Sequence, residues 1–389
     1  MVYMNMFILR GAKIALNIAY APIKAFSGRK QGKITLISSQ DDTPSRDIRM
    51  LASALEETDK DNALEIVVLA GRMRRSFAGA FKFAGQLLRE LRHIATSEVV
   101  VLEGYTVSVG ALKHKPGLTI IQIWHAPDAI KKFSRQILDT PAGHSSKFAD
   151  TLGMHYNYNY LLCPSLAVAP AFCEAFGVSE SKLVYMGMPR IDYLAGLRTS
   201  DEGRQTNKTI LEKYPLLNQK PPIVYAPTFR DGRPVDIDDL VKSFDFDRFA
   251  LIIKLHPLYP QEILPEWQNK EGLIFEKSFT TDEWLTAASA VITDYSGVAV
   301  EAAVCNIPTY FYVYDIDLYM EERGLNFDLR EEAIAPYVFT DGKTLASALD
   351  PDNYDLSLLK TFRQHMITCP DTGNTEKLAA FVQSFTNVK

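Results

Sequence analysis

The sequence predicts an α/β protein built from two Rossmann-like domains. Short apolar runs typical of buried parallel strands alternate with helical segments over residues 34–197, and the alternation restarts at residue 223. Alternation of this kind builds βαβ units around a parallel sheet. The polar stretch 198–221 shows no strand pattern and is interpreted as a linker or the start of an exposed helix. We therefore predict two domains, 34–197 and 198–389, after an N-terminal segment, 1–33.

The individual elements follow from the apolar patterns. The predicted strands are 34–38, 65–69, 99–102, 119–124, 160–163 and 182–185 in the first half, and 223–226, 251–254, 273–275, 290–293 and 309–312 in the second. The predicted helices are 45–57, 80–94 and 168–176, with a closing helix from about residue 374.

Composition limits the class of protein. The 389 residues are 47% hydrophobic and 23% charged, which is ordinary for a globular chain long enough for two cores. The formal net charge of -5 argues against a general nucleic-acid binder. Cysteines without zinc-ligand spacing are interpreted as reduced, buried thiols. The chain has no HExxH, Walker or GxGxxG motif, and its DxD triplets lie away from the phosphate loop proposed below. We therefore expect no NTPase or NAD chemistry and no catalytic metal.

The N-terminus is basic and apolar, since residues 1–40 contain no Asp or Glu. Arg10 and Lys13 interrupt the apolar run, so we expect it to be too short and too charged for a good membrane-spanning helix. We interpret it as a helix in the membrane interface, with Arg10, Lys13 and Lys24 facing anionic lipid. The alternative is an amphipathic helix packed on the protein's own core.

Polar residues stand at the carboxyl ends of four predicted strands. They are His125, Thr228 with Arg230, Lys254 with His256, and Asp294 with Ser296. Ligands bind at the carboxyl ends of strands in parallel sheets, so we expect these residues at ligand-binding edges.

The loop from Asp294 to Gly297 resembles a phosphate site. It leads into an apolar helical run that contains Glu301. Backbone N–H groups at a helix start donate to phosphate oxygens, Ser296 adds a hydroxyl, and Gly297 allows close approach. The alternative is Ser296 as an ordinary helix N-cap without a ligand.

The basic side chains suggest roles in a group transfer. The unperturbed pKa of an imidazole suits a general base, so His125 is the candidate for that role. Strand alternation places Lys254 and His256 on one side, where they can neutralise a leaving diphosphate. Arg230 offers a planar fork for phosphate. The alternatives are a capping or core His125, a solvated Lys254 with a structural His256, and an Arg230–Asp231 surface turn.

Ordered motifs between about residues 120 and 330 resemble the CDP-glycerol glycerophosphotransferase family, the teichoic acid primases and polymerases. They are Trp124-His125-Ala126, Lys131-Lys132-Phe133, Met186 to Asp192 (which includes Arg190), Tyr225 to Asp231, Lys254 to Pro257, Thr293 to Ser296, Phe311 to Asp315, Tyr319 to Gly324, and Asp328.

The resemblance implies a GT-B fold, with two Rossmann-like domains and a cleft between them. It implies attack of an acceptor hydroxyl on the β-phosphorus of a CDP-polyol, with release of CMP. His125 would then be the base, His256 would bind the diphosphate, and Ser296 with Arg230 would hold phosphate. The expected partners are a CDP-polyol, an undecaprenyl diphosphate-linked saccharide and the inner face of the cell membrane, without nucleic acid.

Two positions depart from the family pattern. Gly297 stands where many members have a second Ser, and Ala126 stands where many have Gly. We expect CDP-glycerol as the donor substrate, with CDP-ribitol as the alternative. The short chain favours a primase over a polymerase. Further alternatives are a GT-B glycosyltransferase and an inactive membrane-bound scaffold.

Overall fold

The structure, a computed structural model, describes residues 6–71, 77–230, 235–256, 259, 267, 269–369 and 371–388, except for the side chains of 77–83. Asp231 and Pro257, which belong to two of the motifs above, lie outside the described residues.

The strands and helices alternate as predicted. The strands are β1 (Lys33–Ser38), β2 (Glu65–Ala70), β3 (Val99–Leu102), β4 (Thr119–Gln122), β5 (Tyr160–Cys163), β6 (Leu183–Tyr185), β7 (Pro222–Tyr225), β8 (Ala250–Ile253), β9 (Leu273–Phe275), β10 (Ala290–Thr293), β11 (Thr309–Tyr312) and β12 (Val338–Phe339). The helices are α1 (Met6–Phe26), α2 (Arg46–Thr58), α3 (Phe77–Thr96), α4 (Val107–Gly110), α5 (Ser146–Leu152), α6 (Ala169–Phe176), α7 (Pro189–Gly196), α8 (Asp201–Lys213), α9 (Asp238–Ser243), α10 (Thr281–Leu285), α11 (Val298–Val304), α12 (Ile316–Glu322), α13 (Gly342–Ala348), α14 (Leu356–Met366) and α15 (Asn374–Gln383).

The chain forms two compact units. The first unit comprises Met1–Ala126, Phe133–Asp192 and Thr372–Lys389, and the second comprises Pro127–Lys132 and Tyr193–Asp371. The predicted division at residue 198 differs from this in three places. The second unit begins at Tyr193, and a six-residue segment and the closing helix each pack in the other unit. Helix α15 packs against α2, and its Leu378 and Val382 join the first unit's core.

The first unit is a six-stranded parallel sheet in the order β2-β1-β3-β4-β5-β6. Strands β1 and β3 are buried along their whole length, as expected for inner strands of a sheet covered on both faces. The chain proceeds from β1 outward to β2, then crosses back to β3 and continues the other way. The order therefore reverses between β1 and β3, which is the first switch point.

The second unit repeats this plan with a parallel sheet in the order β12-β11-β10-β7-β8-β9. Strands β7, β8, β10 and β11 are fully buried. The order reverses between β7 and β10, which is the second switch point. Two parallel six-stranded sheets confirm the predicted α/β class with two Rossmann-like halves.

The stretch predicted as a linker or exposed helix start contains helix α8. Ser200 caps it, since the Ser200 side chain accepts a hydrogen bond from the N–H of Gly203 at 3.1 Å. Only Gly203 and Ile210 of this helix are buried, so its polar sequence covers an exposed face.

Helix α1 contacts the first unit along one side. Leu9 and Tyr20 are buried, and the Tyr20 hydroxyl hydrogen-bonds His114 Nδ1 at 3.1 Å. Five large apolar side chains elsewhere on the helix are exposed: Phe7 82%, Ile8 62%, Ile14 61%, Ile18 69% and Phe26 90%. By length and hydropathy alone the helix meets the requirement for crossing a membrane, whereas the sequence analysis expected it to be too charged.

Candidate functional site

His125 lies at the switch point of the first sheet. Its Nδ1 is 3.1 Å from the backbone oxygen of Glu103, which directly follows β3. The same Nδ1 is 3.2 Å from Nε2 of Gln40, two residues after β1. The two strands that flank the switch point thus each supply a contact to one imidazole nitrogen, which is the placement that open α/β sheets use for ligand sites.

A sharp turn after β4 brings His125 to this position. Trp124 adopts a left-handed φ of 61°, a conformation rare for a bulky residue. Its N–H donates to Oε1 of Gln122 at 2.8 Å, and its ring packs on Phe133 and Phe176 with centroids 5.5 and 4.9 Å away. The turn ends the strand at Gln122 rather than at residue 124 as predicted, and it directs His125 back over β3.

The carbonyl of Glu103 determines the tautomer of His125. A carbonyl oxygen only accepts, so the contact requires a proton on Nδ1 and leaves a lone pair on Nε2. The amide of Gln40 fits this tautomer when its oxygen, rather than its nitrogen, faces Nδ1, an exchange of two atoms of similar size.

The side chain of Glu103 anchors the loop beneath His125. It is fully buried, and its carboxyl accepts hydrogen bonds from Ser38 Oγ at 2.5 Å and from the hydroxyl of Ser45. Burial raises the pKa of Glu103, and the two serine hydrogen bonds oppose that shift. Close by, buried Asp47 accepts the N–H of Arg190 at 2.7 Å and lies 3.5 Å from its Nε. Arg190, a candidate from sequence, is therefore bound to a carboxylate of its own unit.

The candidates of the second unit meet at its switch point. The N–H of Thr228, after β7, donates to both carboxylate oxygens of Asp294, after β10, at 2.8 and 3.1 Å. The Thr293 hydroxyl donates to the carbonyl of Ala226 at 2.7 Å. Side chains therefore join the ends of β7 and β10 where the strand pairing stops. The Thr228 hydroxyl is buried and has no hydrogen-bond partner among the described residues.

Arg230 is enclosed by carboxylates. Its Nε and Nη2 donate to Asp315 at 2.6 and 2.8 Å, and its Nη1 lies 2.9 Å from Asp294. The guanidinium carbon of Arg230 lies 5.2 Å from the ring centroid of Tyr314. It lies 5.8 Å from the ring centroids of Tyr295 and Tyr319. Burial alone would lower the pKa of Arg230, but these carboxylates raise it above its ordinary value.

The remaining candidates of this unit line the same edge of the sheet. Burial lowers the pKa of Lys254, at the end of β8. His256 is exposed, with its ring 5.3 Å from that of Phe229. Ser296 Oγ accepts a long hydrogen bond of 3.4 Å from the N–H of Val298, but the N-cap of α11 is Gly297 rather than Ser296. Gly297 is half-buried, and Glu301 is 7% exposed within α11.

The sequence matches the family described as CDP-Glycerol:Poly(glycerophosphate) glycerophosphotransferase over residues 20–384. The chain belongs to this family. It is therefore one of the enzymes of the teichoic acid primase and polymerase group, which confirms the resemblance seen in its motifs.

Curated relatives fall into two polyol classes. A teichoic acid ribitol-phosphate primase from Bacillus spizizenii is 28% identical and covers 98% of both chains. A teichoic acid glycerol-phosphate primase from Bacillus subtilis is 26% identical and covers 77% of this chain and 76% of the relative. The chain spans about half the length (48%) of a poly(ribitol-phosphate) polymerase that it also matches.

A solved structure of the wall teichoic acid polymerase TagF superposes with a TM-score of 0.70 at 18% identity, over 98% of this chain and 97% of that one. At this identity the likeness shows a shared fold.

The predicted membrane contacts lie on α1 in different settings. Lys13 Nζ donates to the carbonyl of Thr151 at 2.8 Å, and Lys24 Nζ donates to the carbonyl of Lys113 at 3.1 Å. Arg10 lines a cavity of about 450 Å³ together with Phe7 and Lys147. Two of the three cations thus also attach the helix to its own unit.

Several residues at the two switch points were not selected from sequence. Gln40 and Glu103 could have been found, because both lie within two residues of the ends of predicted strands that border the reversal of strand order. Asp128 could not have been found from residue spacing, since Gly297, which it contacts, is distant in the chain. Within the described part of the chain, no group of three or more His, Cys, Asp or Glu side chains is placed to hold a metal ion.

Proposed function

We propose that the chain transfers a polyol phosphate from a CDP-polyol to a hydroxyl of a lipid-linked teichoic acid precursor and releases CMP. The observation that carries the proposal is the contact of His125 Nδ1 with a backbone carbonyl at the first switch point. This contact leaves Nε2 as a proton acceptor in a member of a phosphotransferase family.

In the proposed reaction, the acceptor hydroxyl gives its proton to His125 Nε2 while its oxygen bonds to the β-phosphorus. The bond from that phosphorus to the oxygen bridging the two phosphates breaks, and its electron pair leaves with CMP. Glu103 and Gln40 keep the imidazole in the required tautomer, which is a positioning role.

The donor substrate's phosphates need positive charge and hydrogen-bond donors. We assign neutralisation to Lys254 and His256, and hydrogen bonding to the Thr228 and Ser296 hydroxyls with the Gly297 backbone. The buried Thr228 hydroxyl supports this assignment, because a ligand oxygen would give it a partner. These groups make metal-independent transfer our expectation, and an unchanged rate in the presence of EDTA would agree with it.

Arg230 and Asp294 receive a different role from the one expected from sequence. Because the Arg230 guanidinium is bound to Asp315 and Asp294, a direct phosphate contact would require a buried ion pair to open. We therefore assign Arg230 and Asp294 to holding the Thr228 backbone in place.

For the polyol we propose ribitol ahead of glycerol, which reverses the order favoured by the sequence analysis. The support is the alignment with a ribitol-phosphate primase over 98% of both chains, against 77% and 76% for a glycerol-phosphate primase. The same end-to-end match supports a primase. Glycerol remains the second candidate, because relatives of both classes match.

We propose that α1 attaches the enzyme to the cytoplasmic face of the membrane, next to its lipid-linked acceptor. Exposed Phe7, Ile14 and Ile18 supply apolar area, and Arg10 supplies charge for anionic headgroups. A liposome flotation assay tests this. The chain without residues 1–30 should lose binding to anionic vesicles, and equal flotation of both proteins would contradict the assignment.

The deciding experiment is a donor panel. The full chain is incubated with a lipid-linked acceptor and CDP-ribitol, CDP-glycerol or a UDP-sugar, and the released nucleotide is measured. CMP release with CDP-ribitol, and less with CDP-glycerol, is the expected result. UDP release without CMP would instead indicate a glycosyltransferase, and no release with any donor substrate would indicate an inactive scaffold.

A further inference from the structure

A short segment of the first half of the chain is built into the second unit. Pro127–Lys132 clusters there, and backbone hydrogen bonds fix it: the Lys132 N–H donates to Gly324 at 3.0 Å, and the Asn326 N–H donates to Ile130 at 2.8 Å. The Asn326 side chain also donates to the carbonyl of Ala129 at 2.9 Å. These contacts place Asp128 in a defined position.

Asp128 packs directly on Gly297 of the candidate phosphate loop. Gly297 has a φ of -57°, an ordinary helical value, so its backbone does not require glycine. Its surroundings favour glycine, because a Cβ atom at this position would overlap Oδ2 of Asp128 unless that carboxylate moved. The absence of the second serine hydroxyl common in this family thus has a local cause: a carboxylate occupies that space.

The carboxylate of Asp128 is buried but not neutralised by a close cation. The residue is 6% exposed, and Oδ1 accepts the N–H of Ile130 at 3.1 Å. Among the described residues no Lys, Arg or His lies within ion-pair distance of it, and Lys131 acts only at longer range. Burial raises the pKa of Asp128, and the charge of Lys131 opposes this.

The position of Asp128 selects the kind of ligand group it can contact. A carboxylate repels phosphate oxygens but accepts hydrogen bonds from hydroxyls, and hydrogen bonds to charged groups are the stronger ones. In a CDP-polyol, the β-phosphate is esterified to a terminal carbon of the polyol, and the next carbon carries a hydroxyl. A phosphate on the Ser296–Gly297 loop would therefore place hydroxyls within reach of Asp128.

We propose that Asp128 is a specificity-determining residue that accepts a hydrogen bond from a hydroxyl of the donor substrate's polyol, in the space kept open by Gly297. This inference rests on the proposed function, because it takes a CDP-polyol as the substrate. It adds a residue that recognises the polyol itself rather than the nucleotide or the phosphates.

The test compares the affinities of CDP-polyol and CMP, measured by calorimetry on the full chain. Asp128→Asn keeps the shape but removes the charge, so affinity for the preferred CDP-polyol should fall about 10-fold or more while CMP affinity stays within about 2-fold. Asp317→Asn, an exposed carboxylate in the same unit with its side chain 92% accessible, is the matched control and should change neither. Unchanged CDP-polyol affinity in Asp128→Asn would overturn the proposal. An equal loss for CMP would also overturn it, because the carboxylate would then contact the ribose.

A second pair of variants tests the contact with Gly297. Gly297→Ser should weaken binding of both ligands, because its Cβ collides with Asp128. The double variant Gly297→Ser with Asp128→Ala should regain the wild-type affinity for CMP. It should not regain the additional affinity that the polyol gives to CDP-polyol. Full binding by Gly297→Ser alone would overturn the steric pairing. If the wild-type chain binds CDP-polyol but releases no CMP, the proposed function fails while Asp128 is still judged by affinity; if it binds no CDP-polyol, both fail.

Discussion

The two switch points have the same place in their sheets but opposite chemistry. At the first, His125 is half-buried, and its Nδ1 lies next to a backbone carbonyl and an exposed amide. At the second, Arg230 is 4% exposed, and carboxylates occupy its donors. The first arrangement sets the tautomer of an imidazole, whereas the second holds a guanidinium in ion pairs and fixes the backbone. Sequence position at a strand end therefore identifies a site but does not distinguish its reactive group from its support.

Loss of His125 should have the largest effect on activity and little on stability. His125→Ala removes the proposed base, so CMP release should fall about 10²- to 10⁴-fold, with thermal unfolding within a few degrees of wild type. The measurement is initial rate with saturating CDP-polyol and acceptor. His144→Ala, an exposed histidine of the same unit, is the control and should keep the full rate. A fully active His125→Ala would remove the contrast between the two switch points.

Loss of Arg230 should have the reverse pattern. Arg230→Met leaves the buried Asp294 and the half-buried Asp315 without a cation, which costs about 3–5 kcal/mol of unfolding free energy. Urea titration followed by circular dichroism measures it.

The control for Arg230→Met is Arg330→Ala, which breaks a more exposed ion pair with Asp328 and should cost about 0–1 kcal/mol. If Arg230→Met is as stable as wild type but inactive, the result would contradict this assignment. It would support the direct phosphate contact that was expected from sequence.

Two buried carboxyl groups, Glu276 and Glu103, should make opposite contributions to the pH dependence of stability. Burial works against the ionised form of Glu276, but hydrogen bonds from Ser278, Tyr214 and Phe279 lower its pKa to about 2. Since the folded pKa lies below the unfolded value of about 4.3, its stabilisation is present above that pH and is lost as the pH falls towards 2.

Glu276→Gln should therefore cost about 1–3 kcal/mol at pH 7 and flatten the loss of stability between about pH 4.5 and 2. Burial instead raises the pKa of Glu103, so its ionisation opposes folding as the pH rises. Glu103→Gln should consequently lose less stability at pH 7 than Glu276→Gln. Urea titrations over this pH range measure both, and a larger loss for Glu103→Gln would reverse the contrast.

Sequence predicted the strands well where apolar residues run without interruption. The predicted bounds 99–102, 160–163 and 290–293 agree with β3, β5 and β10 because both faces of these strands are buried. The two-residue strand β12 has no such pattern and was not predicted.

The site was harder to predict, because its contacts join distant parts of the chain. Their positions just after predicted strands placed Thr228, Arg230 and Asp294 at one edge of the sheet. Asp315, which binds Arg230, lies 85 residues after Arg230 in the chain. Whether a basic side chain is free or paired depends on such long-range contacts, which residue spacing does not report.

The smallest expected effect belongs to Gln40, and it tests the tautomer of His125. With its amide oxygen facing Nδ1–H, Gln40 stabilises the protonated imidazole slightly, since the charged ring makes the stronger hydrogen bond. Gln40→Ala should lower the rate about 3- to 10-fold and shift the acidic limb of the pH–rate profile to lower pH. Gln40→Glu adds a negative charge and should shift that limb to higher pH. If both variants shift the limb in the same direction, or neither shifts it, Gln40 does not act through the Nδ1 proton. The tautomer of His125 would then depend on the Glu103 carbonyl alone.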